Sequence, residues 1–133
     1  MAKSEAVVVR NLRAEIFCGA AVPSRPDAGV TEPEWRRFLS AHMTGFPGYS
    51  VYNAAGHWNG DGRWQGEELT RVIVIYGPNN AAFRAELRKI AEAYAVMFDQ
   101  DSVMVGVSGA AFAFVKQPGN GLIDPATIYE FGG

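Results

Sequence analysis

The chain carries the run Val72-Ile73-Val74-Ile75-Tyr76-Gly77-Pro78-Asn79-Asn80 at residues 72–80, and the arrangement of the other elements follows from it. Its first five residues are apolar or aromatic with no polar alternation, which predicts a strand covered on both faces. Gly77-Pro78 ends that strand, and Asn79-Asn80 can cap a helix. The run therefore predicts a strand over about 64–76, followed at once by a helix over about 81–99.

Three further strands are predicted around this central run. A strand over about 49–58 precedes it, joined by Asn59-Gly60-Asp61-Gly62, whose glycines suit a tight turn. Alternation of apolar and polar residues predicts the first strand over about 12–22. A last strand is predicted over about 102–108.

The first helix has a clear start signal. Thr31 can cap it, Glu34 three residues later completes a capping box, and Pro33 suits the first turn. Apolar residues then recur at helical spacing from Trp35 to Met43, which predicts one buried stripe.

The predicted order is β-α-β-β-α-β, the split βαβ or ferredoxin-like arrangement, an α+β fold. In that fold an antiparallel sheet has strands one and three at its centre and both helices on one face. Strands one, three and four carry apolar residues on both sides, so we expect the other face to be covered by a second copy, the C-terminal tail, or both. The domain is predicted over 12–115, between a leader or edge strand at 1–11 and a tail at 116–133.

Composition narrows the class of protein. A chain of 133 residues indicates one domain, and its net charge of −2 argues against a general nucleic-acid binder. A single cysteine, Cys18, allows no internal disulfide and fits a reducing compartment. The N-terminal apolar run of three valines is too short for a signal peptide or a membrane span, so we expect a cytoplasmic protein without a membrane partner.

His57 and Glu68 are the candidate catalytic pair. A short hairpin is expected to place them roughly opposite each other on neighbouring strands. A histidine oriented by a carboxylate can act as a general base near neutral pH. A surface pair across the hairpin is the other interpretation of the same two residues.

Trp58 and Trp64 flank the predicted turn and have two interpretations. As a cross-strand aromatic pair they would stabilise the hairpin. As the wall of a pocket they would leave Arg63 or Arg71 for an anionic or planar group. The candidate ligand-binding residues are Tyr49, Asn53, Trp58, Trp64 and Arg71, and Tyr49, Asn53 and His57 share one face of their strand.

No cofactor and no metal are predicted. Residues 57–68 resemble a calcium-loop spacing, but His57 replaces the first aspartate and the flanks are strands, not helices. The nucleotide-binding, hydrolase and zinc-protease motifs are also missing from the sequence.

A set of positions resembles a family of short bacterial proteins, domain-of-unknown-function family 3574, over about residues 13–115. The family has no established activity that the resemblance could imply for this chain. The positions that carry the resemblance are Glu34-Trp35, Phe38, Phe46-Pro47-Gly48, Val51, Gly56, Trp58, Gly62, Glu68, Arg71, Tyr94, Phe98 and Asp101-Ser102-Val103.

Three functions remain open from the sequence. The leading one is a homodimeric domain that binds a small molecule in a cavity against the sheet. The second is a cofactor-independent acid–base enzyme that uses His57 and Glu68. The third is a protein-interaction module that uses the C-terminal tail or the open sheet face.

Overall fold

The computed structural model describes residues 11–60 and 62–112 and contains the predicted order of elements. The predicted leader, apart from Asn11, and the predicted tail at 116–133 lie outside the described residues. The strands and helices are β1 (Asn11–Gly19), α1 (Glu32–His42), β2 (Ser50–Trp58), β3 (Gly66–Pro78), α2 (Ala81–Met97) and β4 (Met104–Gly109).

The four strands form an antiparallel sheet in the order β2-β3-β1-β4. This confirms the prediction that the first and third strands are central. The core lies on one side of the sheet, where α1 contributes Trp35 and Phe38 and α2 contributes residues such as Phe83 and Leu87. Its sheet side comes from alternate residues of β1 and β3, namely Leu12, Ala14, Ile16, Cys18, Ile73 and Ile75.

The opposite side of the sheet, called the open face here, carries Phe17 of β1, Val72 and Val74 of β3, and Tyr52 of β2. The register fixes this assignment, because Ile16 lies opposite Ile73 in the core and Phe17 opposite Val72 on the other side. Residues 72–75 are all buried, so the prediction that this strand is covered on both faces is confirmed. Dimerisation through the open face stays a prediction.

Both helix starts follow the sequence signals. The Thr31 hydroxyl accepts a hydrogen bond from the Glu34 N–H at 3.3 Å, and Glu34 Oε1 accepts one from the Thr31 N–H at 3.0 Å. The Asn80 side chain accepts from the Phe83 N–H at 2.8 Å and caps α2. These bonds satisfy backbone donors that a helix start leaves free.

Strand β1 ends at Gly19, three residues before the predicted end. The Ala20 N–H still donates to the Leu69 carbonyl, but the Ala21 N–H donates to the Glu68 carboxylate at 2.9 Å. A side chain therefore replaces the next backbone acceptor, and the chain turns away from the sheet.

Strand β3 begins at Gly66, two residues later than predicted, so Trp64 precedes the strand. Gly66 has a positive φ of 109°, a conformation that favours glycine and separates the connection from the ladder. Trp58 lies opposite Gly66, and the interpretation of Trp58 and Trp64 as a cross-strand pair is wrong.

The single cysteine is part of the core. Cys18 is fully buried, and burial raises the pKa of its thiol to about 12. It is therefore a protonated, apolar packing residue. Among the described helices, none is long and apolar enough to span a membrane.

Candidate functional site

Two of the concave sites among the described residues lie at opposite ends of the β2–β3 pair. The first, called the aromatic cavity here, lies where β2 begins and β3 ends and has a volume of about 520 Å³. Tyr49 is the one predicted site residue that lines it. The described lining is Phe46, Pro47, Gly48, Tyr49, Ser50, Val74, Tyr76, Gly77, Pro78, Phe83 and Phe112.

The aromatic cavity has aromatic walls with three hydroxyl groups, those of Tyr49, Tyr76 and Ser50. Tyr49 and Tyr76 are about 40% and 45% exposed, whereas Phe83 is buried at the start of α2. The ring of Phe112 packs against that of Tyr76 with centroids 5.1 Å apart. Such a surface can contact a planar apolar group and offer it hydrogen bonds at the edge.

The second site, called the hairpin cleft here, lies where β2 ends and β3 begins. It is small, about 60 Å³, and brings together three of the predicted site residues, Trp58, Trp64 and Glu68. Its other described lining residues are Phe17, Gly19, Pro23, Gly62, Gln100, Asp101 and Ser102.

Glu68 is the buried charged residue among those that line the hairpin cleft. Its side chain lies on the open face and is about nine-tenths buried. Burial raises the pKa of its carboxyl group, and the hydrogen bond from the Ala21 N–H opposes that shift. No cationic side chain among the described residues pairs with it.

Trp58 and Trp64 each bury an indole N–H that has no acceptor among the described residues. The Trp58 indole is close enough to Glu68 to lower the pKa of that carboxyl group, although its N–H does not reach the geometry of a hydrogen bond. Buried donors without acceptors are rare in folded proteins because they lose their hydration without replacement.

Arg63 holds the outer wall of the hairpin cleft in place. Its guanidinium donates to Asp101 at 2.6 Å and to Asp99 at 2.9 and 3.0 Å, and its backbone N–H donates to Asp101 at 2.7 Å. Arg63 lowers the pKa of both aspartates. This arginine is therefore engaged within the protein, contrary to the interpretation that it is available to a ligand.

The predicted opposition of His57 and Glu68 is wrong. His57 lies opposite Glu67, and Glu68 lies opposite Gly56. Because neighbouring residues of a strand point to opposite faces, Glu68 is on the open face and His57 is on the helix-bearing face. A general base oriented by this carboxylate is not formed.

Arg71 and Asn53 lie opposite each other on the helix-bearing face and line neither site. The Arg71 guanidinium lies 5.4 Å from the Trp35 ring centroid and donates to the Val30 carbonyl and the Glu32 carboxylate at 3.4 and 3.3 Å. It ties β3 to the start of α1. Asn53 is exposed.

Metal ligands do not gather in the part of the chain that the structure describes. Within residues 11–60 and 62–112, no group of three or more histidine, cysteine, aspartate or glutamate side chains could hold a metal ion.

A family model for a protein of unknown function, DUF3574, matches residues 13–114, well over half of the chain. The chain belongs to the DUF3574 family. This confirms the resemblance found in the sequence. None of the curated proteins matches the chain significantly.

Two solved structures share the fold of this DUF3574 chain. One is a phage SAM lyase in its apo state, with 20% identity, a TM-score of 0.57, and coverage of 80% of this chain and 86% of that one. The other is a phage SAM lyase in complex with S-methyl-5'-thioadenosine, with 16% identity, a TM-score of 0.53, and coverage of 81% and 88%. At these identities the similarity shows the fold alone.

Sequence reasoning missed most of the aromatic cavity. Phe46 and Pro47 signalled only the end of a helix, and Tyr76 and Phe83 signalled a strand and a helix stripe. The available signal was the clustering of aromatic residues at four element boundaries. Only the register shows that these boundaries meet at one end of the sheet.

Proposed function

We propose that this protein binds a small organic molecule with a planar ring in the aromatic cavity. The observation that carries the proposal is the volume of about 520 Å³ within largely aromatic walls. Ligand sites in proteins commonly measure about 300–1,000 Å³ and combine apolar walls with a few polar groups. Tyr49 and Tyr76 supply such groups beside Phe46, Phe83 and Phe112.

The lining favours binding over acid–base catalysis. Among the described residues of the cavity, the tyrosines are the only ionisable side chains. A general acid or base that works near neutral pH is usually a histidine, a carboxylate or a lysine. We therefore assign the cavity, which His57 and Glu68 do not line, a binding role.

The similar fold suggests the first molecule to test. One of the two structures described above contains S-methyl-5'-thioadenosine, which has a planar purine and an apolar methylthio group. A purine can stack on aromatic side chains, and the tyrosine hydroxyls can bond to its ring edge. We propose nucleoside thioethers as the chemical class of ligand.

The test is isothermal titration calorimetry with S-methyl-5'-thioadenosine and the full chain. We expect binding by the wild type and roughly tenfold weaker binding by Tyr49→Ala, because a ring of the wall is lost. Tyr52→Ala is the matched control, since Tyr52 is similarly exposed on the adjoining strand but does not line the cavity.

Two results would count against this assignment. Equal losses in both variants would place the ligand elsewhere. No heat and no thermal stabilisation with the thioether, adenosine or a purine base would remove nucleoside thioethers as the ligand class.

We also propose that a second copy of the chain covers the open face. One row across the sheet consists of Tyr52, Val72, Phe17 and Met104, and its ends are exposed, Tyr52 by 43% and Met104 by 52%. Large apolar side chains that are exposed on a sheet face, as Tyr52 and Met104 are, are typical of protein interfaces. Sedimentation should show a dimer for the wild type and a monomer for Met104→Asp; a monomeric wild type contradicts the proposal.

A further inference from the structure

We infer that the hairpin cleft is a second binding site, and that it takes the vicinal hydroxyl groups of a small polyol. The site is separate from the aromatic cavity, at the other end of the β2–β3 pair, and goes beyond the function proposed above. Three groups carry the inference, Trp58, Trp64 and Glu68.

The hydrogen-bonding groups of the cleft need a partner that both accepts and donates. The two indole N–H groups are donors without an acceptor among the described residues. Glu68 uses Oε1 to accept from the Ala21 N–H, and its carboxylate can accept further bonds. A hydroxyl group meets both needs, because its oxygen can accept a hydrogen bond from an indole N–H and its O–H can donate one to the carboxylate.

The shape of the cleft fits the same class of ligand. A volume of about 60 Å³ exceeds the roughly 10–15 Å³ that one water requires and falls well short of a whole drug-sized ligand. One edge of a ring with two hydroxyls can enter, while the rest of the molecule stays outside. Two hydroxyls match the two indole donors.

The cleft is held open by contacts that are independent of any ligand. Arg63 binds Asp99 and Asp101 and so fixes the loop that carries Trp64. Gly19 leaves the space that the Glu68 carboxylate occupies, since a Cβ at Gly19 would lie 2.4 Å from Oε1. A site that is already formed loses less conformational entropy when it binds.

A compact cation is the rival occupant, because carboxylates and aromatic faces also attract cations. The unpartnered indole donors favour the hydroxyl ligand, since a cation offers them no acceptor. The test therefore uses both classes of probe. The diol is 1,4-anhydroerythritol, its single-hydroxyl analogue is 3-hydroxytetrahydrofuran, and the cation is tetramethylammonium.

The experiment follows the indole N–H signals of the ¹⁵N-labelled full chain by nuclear magnetic resonance. The chain has three tryptophans, and Trp35, buried in the core, is the internal reference. We expect the diol to shift the Trp58 and Trp64 signals with a dissociation constant on the order of 1 mM, as for other ligands of this size. Trp64→Phe assigns the signals.

Glu68→Gln and Glu67→Gln are the matched pair of variants. In Glu68→Gln the side-chain oxygen can still accept the hydrogen bond from the Ala21 N–H. The amide NH₂ replaces the carboxylate oxygen that would accept from the ligand hydroxyl, so we expect about tenfold weaker diol binding. Glu67→Gln changes an exposed carboxylate on the other face and should bind like the wild type. The single-hydroxyl analogue should bind about tenfold more weakly than the diol.

Three results overturn the inference. Shifts with tetramethylammonium but not with the diol would make the cleft a cation site. No shift with either probe would mean that water alone occupies it. Equal diol binding by both glutamine variants would remove Glu68 from the site. The ribose of S-methyl-5'-thioadenosine also carries a vicinal diol, so thioether binding in the aromatic cavity is judged by the loss in Tyr49→Ala, which none of these three results affects.

Discussion

The carboxylate of Glu68 lies in the space that a side chain at Gly19 would fill. A Cβ at Gly19 would be 2.4 Å from Oε1 and 2.8 Å from Cδ of Glu68. Gly19 is the last residue of β1, and the same carboxylate accepts the Ala21 N–H just beyond it. The end of the first strand and the position of the buried carboxylate therefore depend on each other.

Gly19→Ala should lower the free energy of unfolding by about 1–3 kcal/mol, because the added methyl group displaces a packed carboxylate. Urea denaturation monitored by circular dichroism measures the change. Gly106→Ala is the matched control: Gly106 is also a strand glycine, but apart from its chain neighbours nothing lies within 4 Å of the place that a methyl group would take there. Equal losses of stability in both variants would mean that replacing any glycine in a strand lowers the free energy of unfolding by this amount. The contact with Glu68 would then not be the cause.

The double variant Gly19→Ala/Glu68→Ala tests the contact itself. Truncating Glu68 removes the group that the new methyl displaces, so the second substitution should recover part of the stability lost in Gly19→Ala. A double-mutant cycle from the same urea curves gives the coupling between the two sites. Additive losses would contradict the proposed contact.

The protein should become less stable as the pH rises through the pKa of the Glu68 carboxyl group. Burial raises the pKa of this carboxyl group in the folded state above its ordinary value of 4.5. Between the unfolded and the folded pKa, the folded state holds more protons, so the free energy of unfolding falls with increasing pH. Above the folded pKa the whole cost of the buried charge is present.

Glu68→Gln removes this cost without removing the side chain. The stability of Glu68→Gln relative to the wild type should therefore increase from pH 4 to pH 7, as urea curves at several pH values will show. Glu67→Gln is the control, because its carboxylate is exposed and its relative stability should change little. A difference between Glu68→Gln and the wild type that does not vary with pH would contradict the assigned shift.

The fold could be predicted from the sequence because the patterns that indicate each helix and strand are local. The Thr31 capping box, the Asn80 cap and the unbroken apolar run at 72–75 each act through neighbours in the chain, and each was found as predicted. Together they fix the order of elements, which the topology rules for antiparallel sheets turn into one strand order.

The site was less predictable because it depends on register. The sequence turn at 59–62 suggested that Trp58 lies opposite Trp64 and His57 near Glu68. The longer connection and the start of β3 at Gly66 place Glu68 opposite Gly56 instead. The partner of Trp58 moves by two residues, from Trp64 to Gly66, and such a shift leaves every side chain on its own face. His57 and Glu68 therefore lie on opposite faces in either register, and the predicted histidine–carboxylate pair does not form, while Trp58, Trp64 and Glu68 still meet in one cleft.

The contribution of Glu34 to stability should depend on pH in the opposite sense to that of Glu68. Arg25 donates two hydrogen bonds to its carboxylate, at 2.9 and 3.0 Å, and with the Thr31 N–H lowers its pKa from 4.5 to about 2. Its contribution is complete above the unfolded pKa of 4.5 and is lost as the pH falls toward about 2.

Arg25→Gln should therefore be less stable than the wild type at pH 7, and the difference should shrink as the pH falls from 5 to 2. Thermal unfolding across that range measures it. Arg36→Gln is the control, because Arg36 forms a more exposed pair with Glu32 on the same helix. A constant difference for Arg25→Gln would show that the arginine acts by packing and not through the Glu34 charge.

Arg63 should control the mobility of the hairpin cleft more than the stability of the fold. It is half exposed, so its ion pairs add little to global stability, but they join the loop before β3 to the residues after α2. In Arg63→Gln, we expect roughly two- to fivefold faster amide hydrogen exchange at 62–65 and 99–101, with exchange in α2 unchanged. Arg88→Gln breaks an exposed pair with Glu92 elsewhere and should leave the cleft unaffected. Unchanged exchange at both loop segments in Arg63→Gln would mean that packing of the tryptophans, and not the arginine, holds the cleft open.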